Sequence, residues 1–91
     1  MPYKLIYPDS YTRRARKFLL KHSEIHSQYR KTLELLELNP YHPSLRLHSL
    51  EGRLQGLSSV SINMSYRIIL ALENQNKEII LVNIGEHDQV Y

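Results

Sequence analysis

The residues best suited to chemistry lie in the C-terminal half. Arg67 sits inside the apolar run from Tyr66 to Leu72 (YRIILAL). A guanidinium stays charged at any ordinary pH and is costly to bury unpaired, so this side chain must face a carboxylate, a groove or the phosphate of a ligand. An ion pair with Glu73 or Glu78, or an exposed sheet face, would satisfy it without any catalytic role. His87 follows Gly85 just beyond the last apolar segment, where a loop can present its imidazole for proton exchange near neutral pH. A surface histidine, or one bonded to Asp88, is the plainer reading. His48, between Leu47 and Leu50, carries the same pair of readings. The terminal aromatic Tyr91 either pins the tail to the core or stacks on a nucleobase.

Other constellations point away from chemistry. His22 and His26 have i, i+4 spacing, but an expected helix break at Ser23 separates their faces, and no metal site is expected there. Ser58, Ser59, Ser61 and Ser65 do not form a nucleophile elbow. There is no glycine-rich phosphate loop. With no cysteine, a disulfide framework, a zinc thiolate site and a thiol nucleophile are all excluded.

The elements that must position these residues can be read from hydrophobic periodicity. Tyr3 to Tyr7 (YKLIY) predicts a strand, ended by Pro8-Asp9-Ser10, which can also cap a helix. Tyr11, Ala15, Phe18 and Leu19 then form one apolar helical stripe, and Ile25, Tyr29, Thr32, Leu33 and Leu36 a second, with Ser23 as an N-cap between them. Asn39-Pro40 and Pro43 stop the second helix. Gly52 and Gly56 interrupt the chain before Leu57 to Asn63 (LSSVSIN), where Val60 and Ile62 should face the core and Ser59, Ser61 and Asn63 the other way. Tyr66 to Leu72, a polar turn from Glu73 to Lys77, and Glu78 to Ile84 complete a β-meander. The expected fold is a single α+β domain over 1–91, with a strand and two antiparallel helices packed on a mostly antiparallel, twisted sheet.

Composition sets the class. The 91 residues allow one domain, and 42% hydrophobic content suits a globular chain with a thin core. No run approaches the roughly 20 apolar residues of a membrane span, and the N-terminus lacks the apolar stretch of a signal peptide, so a cytoplasmic protein is expected. The net charge of +3 and the sequence pI of about 9.3 favour an anionic partner, either nucleic acid or an acidic protein segment. Much of the positive charge lies early, at Arg13, Arg14, Arg16, Lys17, Lys21, Arg30 and Lys31, a run that could equally be the solvated face of a helix.

The C-terminal half resembles the RelE/ParE toxin superfamily, and within it the YafQ-like branch. The matching residues are His48 to Gly56 (HSLEGRLQG), Ser59-Val60-Ser61-Ile62, Tyr66-Arg67-Ile68-Ile69 and, most specifically, Ile84 to Tyr91 (IGEHDQVY). The resemblance implies a RelE-like fold and a bacterial or archaeal type II toxin that cuts messenger RNA on the ribosome without a metal or other cofactor. In such a reaction the ribose 2′-hydroxyl attacks the adjacent phosphorus, which needs a base, an acid and cationic stabilisation.

Carried over by position, His87 would be the general acid or base, and Arg67 would bind the scissile phosphate. His48 would assist proton transfer, and Tyr91 would stack on or position a base. Arg13, Arg14, Lys17 and Arg53 would hold RNA backbone, with Ser61 and Ser65 donating hydrogen bonds to phosphate. Implied partners are a cognate antitoxin, messenger RNA and the ribosome, with operator DNA reached only through the antitoxin. This sequence departs from the branch where Ser61 and Ser65 replace a histidine and an aspartate, and it lacks the paired strand lysines of RelE. A ParE-like DNA gyrase inhibitor and a catalytically degenerate, antitoxin-binding corepressor are the alternatives.

Overall fold

The apolar segments of the C-terminal half fold into a sheet that carries Arg67. In the computed structural model, which describes residues 2–87, the chain runs β1 (Lys4–Ile6), α1 (Asp9–Lys21), a 3-10 turn (Ser23–Ile25) and α2 (His26–Leu38). A second 3-10 turn (Pro43–Leu45), β2 (His48–Ser49) and a third 3-10 turn (Gly52–Leu54) lead to β3 (Ser58–Ser61), β4 (Tyr66–Glu73) and β5 (Glu78–Glu86). The five strands form one sheet in the order β1-β5-β4-β3-β2. Strand β1 runs parallel to its neighbour β5, and the other pairs are antiparallel. The α+β layout expected from the sequence is the one observed.

The two faces of the sheet have different tasks. Val60, Ile68, Leu70, Ile79, Leu81 and Ile84 are buried in one cluster with Tyr11 and Ala15 of α1 and Leu36 of α2. Each valine, leucine or isoleucine removed from water in this way contributes about 1.5–3 kcal/mol. Register places Ser61 opposite Arg67, and Ser59 opposite both His48 and Ile69, on the face away from the helices.

Several local expectations are corrected. Strand β2 has no signal in the sequence, because two residues cannot establish an alternation; it exists through pairing of His48 with Ser59 and Ser49 with Ser58. Ser59 lies on the face expected for it, yet it is fully buried, and Ile62 is only partly buried beside Val60. Pro8 occupies the N-cap of α1, with Asp9 in the first turn, where a carboxylate favours the positive end of the helix dipole. Ser23 does not cap α2. It begins the 3-10 turn, and α2 starts after Ile25 with no side-chain cap.

Tyrosine hydroxyls tie the helices together. Those of Tyr11 and Tyr29 lie 2.7 Å apart, joining α1 to α2. Burial, with Tyr29 and then Tyr7 nearby, pushes the Tyr11 phenol far above its ordinary value of 10.0. Burial likewise raises Tyr29, and burial followed by the proximity of Tyr29 and Glu37 raises Tyr7.

A raised folded-state value favours the neutral phenol, so this stability is complete below pH 10 and is lost progressively as pH climbs beyond it. Denaturant midpoints should therefore fall above about pH 10. Tyr11→Phe should cost about 1 kcal/mol at pH 8 through the lost hydroxyl pair. It should also flatten the alkaline decline, and an equally steep decline in the variant would refute this assignment.

Candidate functional site

Arg67 is placed by its strand. It stands opposite Ser61 on one side and Gly85 on the other. Because Gly85 has no side chain, the guanidinium can lean across β5 toward the strand's end. There its Nε donates to Nδ1 of His87 at 2.9 Å. Nη1 is buried and has no hydrogen-bond partner among the described residues. The acids that could have paired with Arg67 are far away: Glu73 and Glu78 face each other at the opposite end of the hairpin, six residues or roughly 20 Å along β4. A permanent cation is thus held by a neutral acceptor, with part of its donor capacity unmet.

His87 continues the ladder one residue past β5, its backbone N–H donating to the Ser65 carbonyl at 3.1 Å. An Nδ1 that accepts from arginine carries no proton, so the ring in this arrangement is the neutral tautomer protonated on Nε2.

The turn beneath it is built by Asn63, which the sequence did not single out. Its Oδ1 accepts from the amides of Ser65 and Tyr66 at 2.8 and 3.0 Å, and its Nδ2 donates to Gln28 of α2. Ser61 donates its hydroxyl proton to the Asn63 carbonyl at 2.6 Å, so that donor is already engaged in the turn. Ser65 acts through its backbone, and its residue also lines a cavity beside His87.

That cavity, of about 460 Å³, is lined by Met64, Ser65, Tyr66, Glu86 and His87. Tyr66 is fixed from the helix side. Its ring meets Phe18 edge-on at 5.2 Å, and its hydroxyl lies 3.2 Å from Nδ1 of His22. This explains His22, which serves the aromatic stack, while His26 bonds to the Leu19 carbonyl through its ring. Among the described residues, no three histidine, aspartate or glutamate side chains gather as a metal site would require.

The remaining sequence candidates lie elsewhere. His48 is on β2, two strands from Arg67 and offset by two residues, so their Cα atoms are roughly 12 Å apart. His87 follows β5, which is three places from β2 in the strand order. The His48 ring lies 3.3 Å from the Arg46 carbonyl, and His48 borders a separate cleft of about 930 Å³ with Tyr41, Leu57 and Asn74. Arg53 borders a smaller hollow with Leu50, Glu51 and Leu54.

Arg13, Arg14 and Lys17 share a depression on α1 with Arg16 and Leu20, in the layer opposite the Arg67 face. Arg14 also donates to the Val82 carbonyl at 3.3 Å, where the β4–β5 register shifts and Val82 is the extra residue. Tyr91 lies outside the described residues. None of the helices described is long and apolar enough to cross a membrane.

The architecture matches solved toxins. YafQ from E. coli strain BL21(DE3) superposes with a TM-score of 0.79 at 14% identity, covering 98% of both chains. The toxin of the E. coli DinJ–YafQ toxin–antitoxin complex gives 0.78 at 17% identity, covering 100% of this chain and 99% of that one. A copper-bound mutant toxin from Helicobacter pylori gives 0.76 at 22% identity over the full length of both. No protein-family model matches the sequence, and no curated protein matches it. The expected RelE-like fold is therefore the fold of this chain.

Two substitutions separate scaffold from site. Asn63→Ala removes three hydrogen bonds and should cost about 2 kcal/mol in denaturant unfolding. Arg67→Met loses the bond to His87 but relieves a buried, unmatched nitrogen, so its stability should stay within about 1 kcal/mol of the parent. A loss several times larger would mean that Arg67 holds the sheet together.

Proposed function

We propose that this chain is the toxin of a type II toxin–antitoxin pair, acting as a metal-independent endoribonuclease on messenger RNA at the ribosome. The observation that carries the reading is the Arg67–His87 pair, in which a guanidinium with an unmatched nitrogen is bonded to an imidazole on the sheet face away from the helices. A structural arginine would be expected to meet a carboxylate, whereas one awaiting a phosphate is left partly unsatisfied.

The Arg67–His87 geometry supports the following chemistry. A phosphate drawn to Arg67 competes with His87 for the guanidinium, and Nδ1 is freed as Arg67 turns. The imidazole can then take up a proton and deliver it to the departing 5′-oxygen, while the guanidinium stabilises charge on the phosphorane. The 2′-hydroxyl proton must leave to a base as the O2′–P bond forms and the P–O5′ bond breaks. His48 is the acceptor suggested by resemblance, and Tyr91 would position a neighbouring base. Arg53 would hold backbone phosphates on the way toward His48. Ser65 can still offer its hydroxyl, while Ser61 could donate only if its bond to Asn63 opened.

Arg13, Arg14 and Lys17 would add affinity on the helix layer, for RNA or for an acidic antitoxin segment. An antitoxin partner is supported by the DinJ–YafQ complex, whose toxin shares this fold. Operator DNA would be reached through that partner, and the site of action would be the cytoplasm.

Brief expression in bacteria followed by mapping of messenger RNA 5′ ends tests the reading. New in-frame cuts should appear and fall about 100-fold or more in Arg67→Ala and His87→Ala. Growth arrest with uncut messenger RNA would refute the nuclease reading in favour of gyrase inhibition. Soluble, folded protein giving neither arrest nor cuts would identify a degenerate toxin retained for binding.

A further inference from the structure

The bond between Arg67 and His87 is 2.9 Å long, and it leaves little tolerance for movement of either backbone. Arg67 is held inside β4, paired with β3 on one side and β5 on the other. His87 lies one residue past the end of β5, where its N–H donates to the Ser65 carbonyl at 3.1 Å. Whatever aims that carbonyl also sets the imidazole against the guanidinium.

The Ser65 carbonyl and the Tyr66 N–H belong to one peptide unit. That unit is planar and its two groups point in opposite directions, so fixing one aims the other. Oδ1 of Asn63 accepts from this Tyr66 N–H at 3.0 Å and from the Ser65 N–H at 2.8 Å. Two amide donors require an acceptor, so the carboxamide oxygen faces them, and Nδ2 is left to donate to Oε1 of Gln28 at 2.9 Å. The Asn63 carbonyl is held in turn by the Ser61 hydroxyl at 2.6 Å. Gln28 belongs to α2, and its own carbonyl accepts from buried Thr32 at 2.8 Å. A chain of hydrogen bonds thus runs from α2 through Asn63 and a single peptide to the His87 amide.

We infer that Asn63 is the positioning residue of the Arg67–His87 pair, with Gln28 as its tether to the helix layer. It acts through the Ser65–Tyr66 peptide, which binds His87 by its carbonyl and leads through Tyr66 directly into Arg67. The consequence for catalysis rests on the nuclease reading, whereas the consequence for the pair itself does not. A side chain that merely closed a turn would change stability and leave the native pair intact.

The test compares the full chain with Asn63→Ala, Asn63→Asp and Gln28→Ala, by nitrogen NMR of the imidazole and by RNA cleavage on translating ribosomes. In the parent, the bond from Arg67 should hold the neutral His87 ring mainly as the Nε2–H tautomer. Folded Asn63→Ala should lose that preference and lower kcat by about 10-fold or more, with KM unchanged within about twofold. Asn63→Asp keeps an acceptor for both amides and should restore both tautomer and kcat. Gln28→Ala alters an exposed helical position that alanine suits, so it folds whatever becomes of Asn63→Ala. It should shift tautomer and kcat the same way, by about two- to threefold.

If folded Asn63→Ala keeps the parental tautomer or, from an active parent, the parental kcat, the assignment is overturned and the nuclease reading stands. Failure of Asn63→Asp to restore the tautomer would overturn it in the same way. Should Asn63→Ala not fold, a parental tautomer in Gln28→Ala overturns it instead. If the tautomer shifts as expected while the parent chain cuts no RNA, the nuclease reading fails and the positioning role stands.

Discussion

A permanent charge inside an apolar strand is the constraint around which this molecule is arranged. Arg67 cannot lose its proton, and among the described residues no carboxylate lies at hydrogen-bonding distance from it. Its Nε is matched by the lone pair of His87, and Nη1 is left buried without a partner among the described residues. Such a nitrogen opposes folding by about 1–3 kcal/mol, which the apolar face of the same strand more than offsets. Ile68 and Leu70, flanking Arg67 and Ile69 on the helix side, are fully buried. The strand is anchored by one face so that the other can hold a strained electrostatic arrangement.

The neighbouring features read as supports for that arrangement. Gly85 leaves space across β5, and the Asn63 turn fixes the Ser65 carbonyl that receives the His87 amide. From behind, Phe18 and His22 hold Tyr66, one residue before Arg67. Helix packing is thereby coupled to the end of the sheet where the cavity opens. The Tyr11–Tyr29 pair sits in the helix layer behind the sheet and secures the two helices to each other.

Much of this is legible in the sequence, for identifiable reasons. The apolar stripes of α1 and α2 and the apolar runs of β4 and β5 supply complementary faces for one core. Arg67 stands out because charge inside such a run demands a partner. What the sequence cannot carry are relations set by register. Whether Arg67 meets Glu73, Glu78 or His87 depends on which residues of β4 and β5 face one another, and the register shift after Ile69 alters that count. Strand β2 is too short to have a periodicity, so the position of His48 follows only from pairing. Asn63 looks like any turn residue until its three hydrogen bonds are drawn.

The separation of the two layers bears on how positive charge is used. By composition, the arginines of α1 and Arg67 belong to one basic surface. In three dimensions, α1 covers the face of the sheet opposite Arg67, and Arg14 is turned toward the Val82 carbonyl at the register shift. A short single strand lying across the Arg67 face would not also reach the depression lined by Arg13, Arg16 and Lys17. On the proposed reading, recognition of the reacting phosphate and attraction of a large polyanion or acidic protein are therefore separable demands, assigned to different sides of the domain. The net charge of +3 hides this division, because it sums cations that lie on opposite sides of the sheet.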